Sequence, residues 1–200
     1  MRTGTHRGGL GVRLRNLFAG LILYGISLAM MIRAELGLDS WNVFHQGVAE
    51  RTGRSIGSVI IIVSAAVLLL WIPLRERPGF GTVSNAIMVG LAVDAALPFL
   101  PEVSHLAARV PLLVGAVALN GVATGLYIGA RLGPGPRDGL MTGLAKRGLS
   151  IRLARTGIEA AVLVTGWLLG GSVGVGTVLY AVSIGPLAQY FLPKLTVPPG

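Results

Sequence analysis

Six apolar segments, separated by breaks rich in Gly, Pro and charge, leave this chain few ways to fold. They run from about Leu17 to Ile32, Ser55 to Leu74, Phe80 to Leu100, Val110 to Ala130, Leu153 to Leu169 and Gly176 to Leu192. A helix needs about 20 apolar residues to cross a bilayer, and the shortest segment gains reach because Arg33 can snorkel to the interface. The breaks are decisive: Arg75-Glu76-Arg77-Pro78-Gly79 ends the second segment, and Pro134 with Pro136 forbids a continuous helix after the fourth. Only 12% of residues are charged, against about a quarter in soluble domains, and mean hydropathy is +0.72. The chain is therefore expected to be an all-α integral membrane protein.

Two polar stretches interrupt the apolar pattern, and they match. Leu36-Gly37, Asn42 and Gly47 fall on Leu132-Gly133, Asp138 and Gly143 at a spacing of 96. At a spacing of 95, Gly79-Phe80-Gly81-Thr82-Val83 lies on Gly174-Val175-Gly176-Thr177-Val178, and Gly90, Leu97 and Pro98 meet Gly185, Leu192 and Pro193. Ordered Gly, Thr and Pro matches along a whole half indicate one unit duplicated. The expected organisation is a basic cytoplasmic tail over 1–16, a first three-span repeat over 17–101, an outer loop over 102–109, a second repeat over 110–193 and a cytoplasmic tail over 194–200.

The net charge of +9 suggests nucleic acid only in a soluble protein; here Lys and Arg sort by membrane side instead. With the N-terminus inside, the outer segments hold Arg33, Arg51, Arg54 and Arg109, and the remaining 13 of the 17 Lys and Arg lie on inner segments. Both termini are thus expected in the cytoplasm, the chain crossing the plasma membrane six times, its first apolar run retained rather than cleaved as a signal peptide. Three spans per copy invert the second copy relative to the first, the arrangement of many secondary transporters, whose sites lie near the midplane between halves. Each repeat then carries a short interfacial or re-entrant helix after its first span.

The pattern Leu-Gly-x-x-x-Trp-Asn-x-x-x-x-Gly at Leu36 to Gly47 resembles a signature of the YczE-like bacterial membrane proteins, a group related to YitT-type proteins. So do Gly133-Pro134-Gly135-Pro136-Arg137-Asp138-Gly139-Leu140 and the segment from Gly174 to Gly185-Pro186. Where that pattern has Pro before and Asp after the tryptophan, this chain has Ser40 and Asn42. The resemblance spans Leu17 to Pro193 and implies a small multi-span inner-membrane protein, with no settled activity attached.

Ionisable groups inside spans are costly, roughly +2.5 to +3.5 kcal/mol at the centre of a helix, and invite a functional reading. Asp94 in the third segment is expected either to bind a cation or proton in a central cavity, with Gln189 at the equivalent position of the other half, or to hydrogen-bond across a helix contact. Glu159 stands four residues after Arg155, where an i, i+4 pair is available, and is also a candidate ligand. Arg137 and Asp138 begin a short helix whose N-terminus suits either capping or an anionic group, while Asn42 and Trp41 occupy the matching place in the first copy. His45 lacks a second ligand at metal spacing, and no H-E-x-x-H, G-x-S-x-G or P-loop motif and no cysteine occurs, so no metal, no cofactor and no enzyme activity is expected. The expected function is a small permease or secondary transporter for a small molecule or ion, within the lipid bilayer and as a homo-oligomer. The alternative is a non-transporting scaffold, sensor or assembly partner, distinguished by a closed rather than cavity-bearing repeat interface.

Overall fold

The computed structural model describes residues 9–198 and, among them, is all-helical, with no strand. Eight α-helices follow one another: α1 (Leu10–Ala34), α2 (Ser40–Thr52), α3 (Ile56–Leu74), α4 (Phe80–Ala96), α5 (Leu106–Gly129), α6 (Pro136–Ala145), α7 (Ile151–Leu168) and α8 (Val175–Leu195). A 3-10 turn over Leu97–Phe99 extends α4. Helix α1 starts at Leu10, ahead of the apolar run, so Arg13 and Arg15 are helical; Arg2 and Arg7 of the basic tail lie outside the described residues. Pro186 and Pro193 stay inside α8, which continues to Leu195.

Five helices, α1, α3, α4 with its extension, α5 and α8, are long and apolar enough to cross a membrane. The segment expected as a fifth crossing forms α7, but Arg152, Arg155 and Glu159 in its first three turns set it apart from those five.

Helices α1 and α5 pack along each other at the centre. A Cβ on Gly20 would stand 2.7 Å from the Tyr127 nitrogen, so the backbones touch there without an intervening side chain. Helix α4 packs on α1 at Gly25 against Ala92, and α8 packs on α5 at Gly121 against Leu187. Two seams cross between these pairs, one joining the end of α1 to the start of α8 and the other the end of α5 to the start of α4. The Leu36 carbonyl accepts from the Gly176 N–H at 2.7 Å, and the Leu132 carbonyl accepts from the Gly81 N–H at 2.7 Å. In both, a glycine in the left-handed region follows the leucine, Gly37 with φ 106° and Gly133 with φ 132°. In both, a threonine hydroxyl (Thr177, Thr82) accepts from the N–H of the capping glycine at 3.2 Å. Helix starts that would leave amides unpaired are thereby satisfied within the protein.

The short helices do not lie flat on the outside of this bundle. Helix α2 packs against α7, where a Cβ on Gly166 would fall 2.4 Å from the Phe44 nitrogen. Helix α6 packs against α3, with Gly139 under the Trp71 ring and the Trp71 indole donating to the Pro136 carbonyl at 3.0 Å. One relation is uneven. Helices α3 and α4 pack together along their length, whereas α7 and α8 scarcely touch.

Candidate functional site

The N-termini of α2 and α6 meet beside Tyr24, ten residues before the end of α1, about 15 Å down that helix at 1.5 Å per residue. Asp39 caps α2, accepting from the Asn42 backbone N–H at 3.4 Å, with the Asn42 side-chain amide donating to its other oxygen. Arg137, in the first turn of α6, reaches across to Asp39 at 3.4 Å and donates to the Tyr24 hydroxyl. Its guanidinium also lies 5.8 Å from the centre of the Tyr24 ring. Asp138 does not cap α6, as its place in the sequence suggested; Gly135 takes that position, and Asp138 accepts from the Tyr127 hydroxyl at 3.2 Å. The rings of Tyr24 and Tyr127 meet edge to face, 6.1 Å apart. Beside them Tyr180 donates to Asn120, which donates to Ser27 at 2.7 Å.

The cluster holds one cation, Arg137, and two carboxylates, Asp39 and Asp138. Arg137 is paired with Asp39, and Asp138 sits in the first turn of α6, where the positive end of the helix dipole stabilises a carboxylate. His45 extends the chain of contacts, with Nδ1 at 2.9 Å from the Asn42 side-chain oxygen. Because the Asn42 amide nitrogen is committed to Asp39, its oxygen faces the ring, so His45 Nδ1 carries the hydrogen.

Two cavities flank a partition made by Tyr24, Trp41, Tyr127 and Arg137. The larger, about 210 Å³, extends toward the gap between α7 and α8 and is lined by Asp138, Tyr180, Thr124, Arg155 and Glu159 besides the partition. The smaller, about 40 Å³, lies toward α3 and α4 and is lined by His45, Ser64, Asn85 and Val67.

Of the residues expected to form a site, Trp41, Asn42, Arg137 and Asp138 come together here. Asp94 does not join them. Its carboxylate accepts from the Ser55 hydroxyl at 2.6 Å and the Gly57 N–H at 2.8 Å, tying α4 to the N-terminus of α3, so the central-cavity role gives way to the helix-contact role. Gln189 is exposed on α8 and faces neither Asp94 nor the cluster. Glu159 pairs with Arg155 at 3.0 Å, as the spacing predicts, and the pair stands at the rim of the larger cavity. Of the glycines around the start of α6, Gly139 packs against Trp71 and Gly133 against Thr82, while Gly135 lies beside the Asp138 carboxylate. Tyr24, Tyr127, Tyr180 and Asn120 carry no charge to mark them within the apolar runs; their polar tips inside such runs are the available signal. Among the described residues no three His, Asp or Glu side chains come together in a way that could hold a metal ion.

A model for a family of unknown function, DUF6198, matches residues 12–193. An uncharacterized protein of Haemophilus influenzae is 41% identical over 177 residues, covering 88% of this chain and 81% of that one. The uncharacterized membrane protein YczE of Bacillus subtilis is 33% identical over 88% of this chain and 84% of its own length. The uncharacterized protein YyaS of the same organism is 24% identical over 87% of this chain and 89% of its own. No solved structure matches.

Proposed function

This chain belongs to the DUF6198 family of YczE-like membrane proteins, and from the geometry at its centre we propose that it is a small permease, a secondary transporter with its site between two inverted three-span repeats. The observation that carries the reading is the meeting of two half-helix N-termini, α2 and α6, on a polar cluster deep in the bundle, with a cavity of about 210 Å³ leading away from it. Broken helices pointing N-termini at a midplane site are the recurrent transporter solution, because irregular backbone at that depth is tolerated only where it lines a cavity.

The duplication gives the cavities meaning. Ile60 and Ser64 on the wall of the small cavity correspond, at a spacing of 95, to Arg155 and Glu159 on the large one, and Asn85 corresponds to Tyr180. The two seams at Leu36 and Leu132 are likewise equivalents. In this reading α7 is the sixth crossing, the N-terminus is cytoplasmic, the membrane is the plasma membrane, and the large cavity faces inward. The contact between α3 and α4 closes the outer half, and the gap between α7 and α8 opens the inner one. Alternating access is the exchange of that inequality. No bond is made or broken in this account; the cluster binds and passes a solute.

The chain has no cysteine, so single cysteines are clean probes. Thr124→Cys on the large cavity reacts with a membrane-impermeant thiol reagent applied to the inner face, and Ser64→Cys reacts from the outer face as the alternate state is visited. If neither position reacts from either side, the interface is closed and the scaffold reading replaces this one.

A further inference from the structure

The two cavities differ in what they ask of a ligand, and the smaller one is the more specific. Trp41 and His45 line it, each residue 7% exposed, and the indole Nε1 and the imidazole Nε2 are buried without a hydrogen-bond partner among the described residues. The first is a donor. The second is an acceptor, because Nδ1 carries the hydrogen toward Asn42 and the Arg137 guanidinium on the same wall opposes a second positive charge. Burying such groups unpaired is costly, so this place favours an occupant that satisfies both. A hydroxyl satisfies both with one oxygen, accepting from the indole N–H and donating to the imidazole nitrogen.

Resting on the transporter reading, we propose that the protein binds a small uncharged polyhydroxy solute, with one hydroxyl seated between Trp41 Nε1 and His45 Nε2. The charged groups are already engaged within the protein. Arg137, the one cation of the cluster, is held by Asp39 and Tyr24, so an anion finds no free counter-charge, and Asp138 is met by the Tyr127 hydroxyl and the start of α6. The same groups suit hydroxyls, which both accept from Arg137 and the tyrosines and donate to Asp138. The aromatic faces of Trp41, Tyr24 and Tyr127 pack against the carbon backbone of such a solute. The small cavity, about 40 Å³, admits a hydroxymethyl end, and the large one takes the remainder.

Radiolabelled glycerol, erythritol, xylitol and sorbitol are each tested for saturable binding to the full-length purified protein, with sodium, choline, lactate and glycine as charged counterparts. At least one polyol binds saturably and is displaced by its unlabelled form. Trp41→Phe, which keeps the ring and loses the donor, weakens that binding about tenfold, as expected for one lost hydrogen bond of about 1.4 kcal/mol. His45→Phe does the same, and His45→Gln, which returns an acceptor, recovers part of it; either position carries the test if a variant at the other fails to fold. Saturable binding of only a charged solute, no binding of any polyol, or polyol binding that both positions leave unchanged overturns the proposal. Reaction of Thr124→Cys and Ser64→Cys with the impermeant reagent separates the two failures: with labelling at either position but no polyol binding the permease reading survives alone, and with labelling at neither both fall.

Discussion

Removing Arg137 tests the centre of the molecule most sharply, because its partner cannot retreat to water. The Asp39 side chain is 8% exposed and the Arg137 side chain 29%, their closest atoms 3.4 Å apart. Breaking a buried pair by deleting one partner costs about 3–5 kcal/mol, since the remaining charge is left desolvated. The cavity gives Arg137 some access to water and the contact is long, so Arg137→Gln is expected to cost about 2–3 kcal/mol. For a chain of this size, at about 2–4 °C per kcal/mol, the melting temperature in detergent falls by about 4–12 °C. Asp39→Asn keeps an N-cap oxygen for α2 and leaves Arg137 with Tyr24, so it costs less. The double variant removes the orphaned charge altogether and is more stable than Arg137→Gln alone, with a coupling of at least about 1 kcal/mol. Melting curves of the four proteins in one detergent measure the cycle. Costs that add to within about 0.5 kcal/mol would show that the two side chains do not depend on each other, and the pairing of Asp39 with Arg137 would fail as the basis of the cluster.

Asp94→Asn weakens the junction of α4 with the start of α3, lowering stability by about 1–2 kcal/mol while leaving the labelling of Thr124→Cys and Ser64→Cys unchanged; altered labelling would return Asp94 to the pathway. Gly139→Ala places a Cβ 2.0 Å from the Trp71 ring and is expected to destabilise by about 1–3 kcal/mol, whereas Gly157→Ala, which meets nothing within 4 Å, is neutral or stabilising by up to about 1 kcal/mol. Equal melting temperatures for these two variants would contradict the α3–α6 packing. Glu159→Gln breaks an exposed i, i+4 pair and moves the melting temperature by less than about 1 kcal/mol-equivalent; a larger fall would assign the rim pair a role in closing the α7–α8 gap.

The helices were legible in the sequence because breakers and apolar length fix them locally. The Pro and Gly at 134–136 and the Asp at position 39 mark where α6 and α2 begin, and the structure starts both helices there. Depth was not legible. Whether the stretches from Leu36 and Leu132 lie on the surface or turn inward depends on what they pack against, and only Gly166 under Phe44 and Trp71 over Gly139 decide it. The site was half legible. Arg137 and Asp138 announce themselves as charges at a helix start, but Asp39 does not stand out, because the residue 96 positions later is Gly135. The pairing of Asp39 with Arg137 crosses between the halves, and a comparison of equivalent positions does not see such contacts. Asp94 misled for the opposite reason. A carboxylate in an apolar run stands out, yet one hydroxyl and one backbone amide at the start of α3 satisfy it.

The central claim is that the two halves exchange an open and a closed arrangement around the Asp39–Arg137 cluster. Pairs of spin labels on cysteines, one pair bridging α3 and α4 and the other α7 and α8, measure it in liposomes by pulsed dipolar spectroscopy. The account predicts two distances for each pair, with conditions that shorten the α7–α8 distance lengthening the α3–α4 distance. A single unchanging distance across α7 and α8, whatever the conditions, would contradict it.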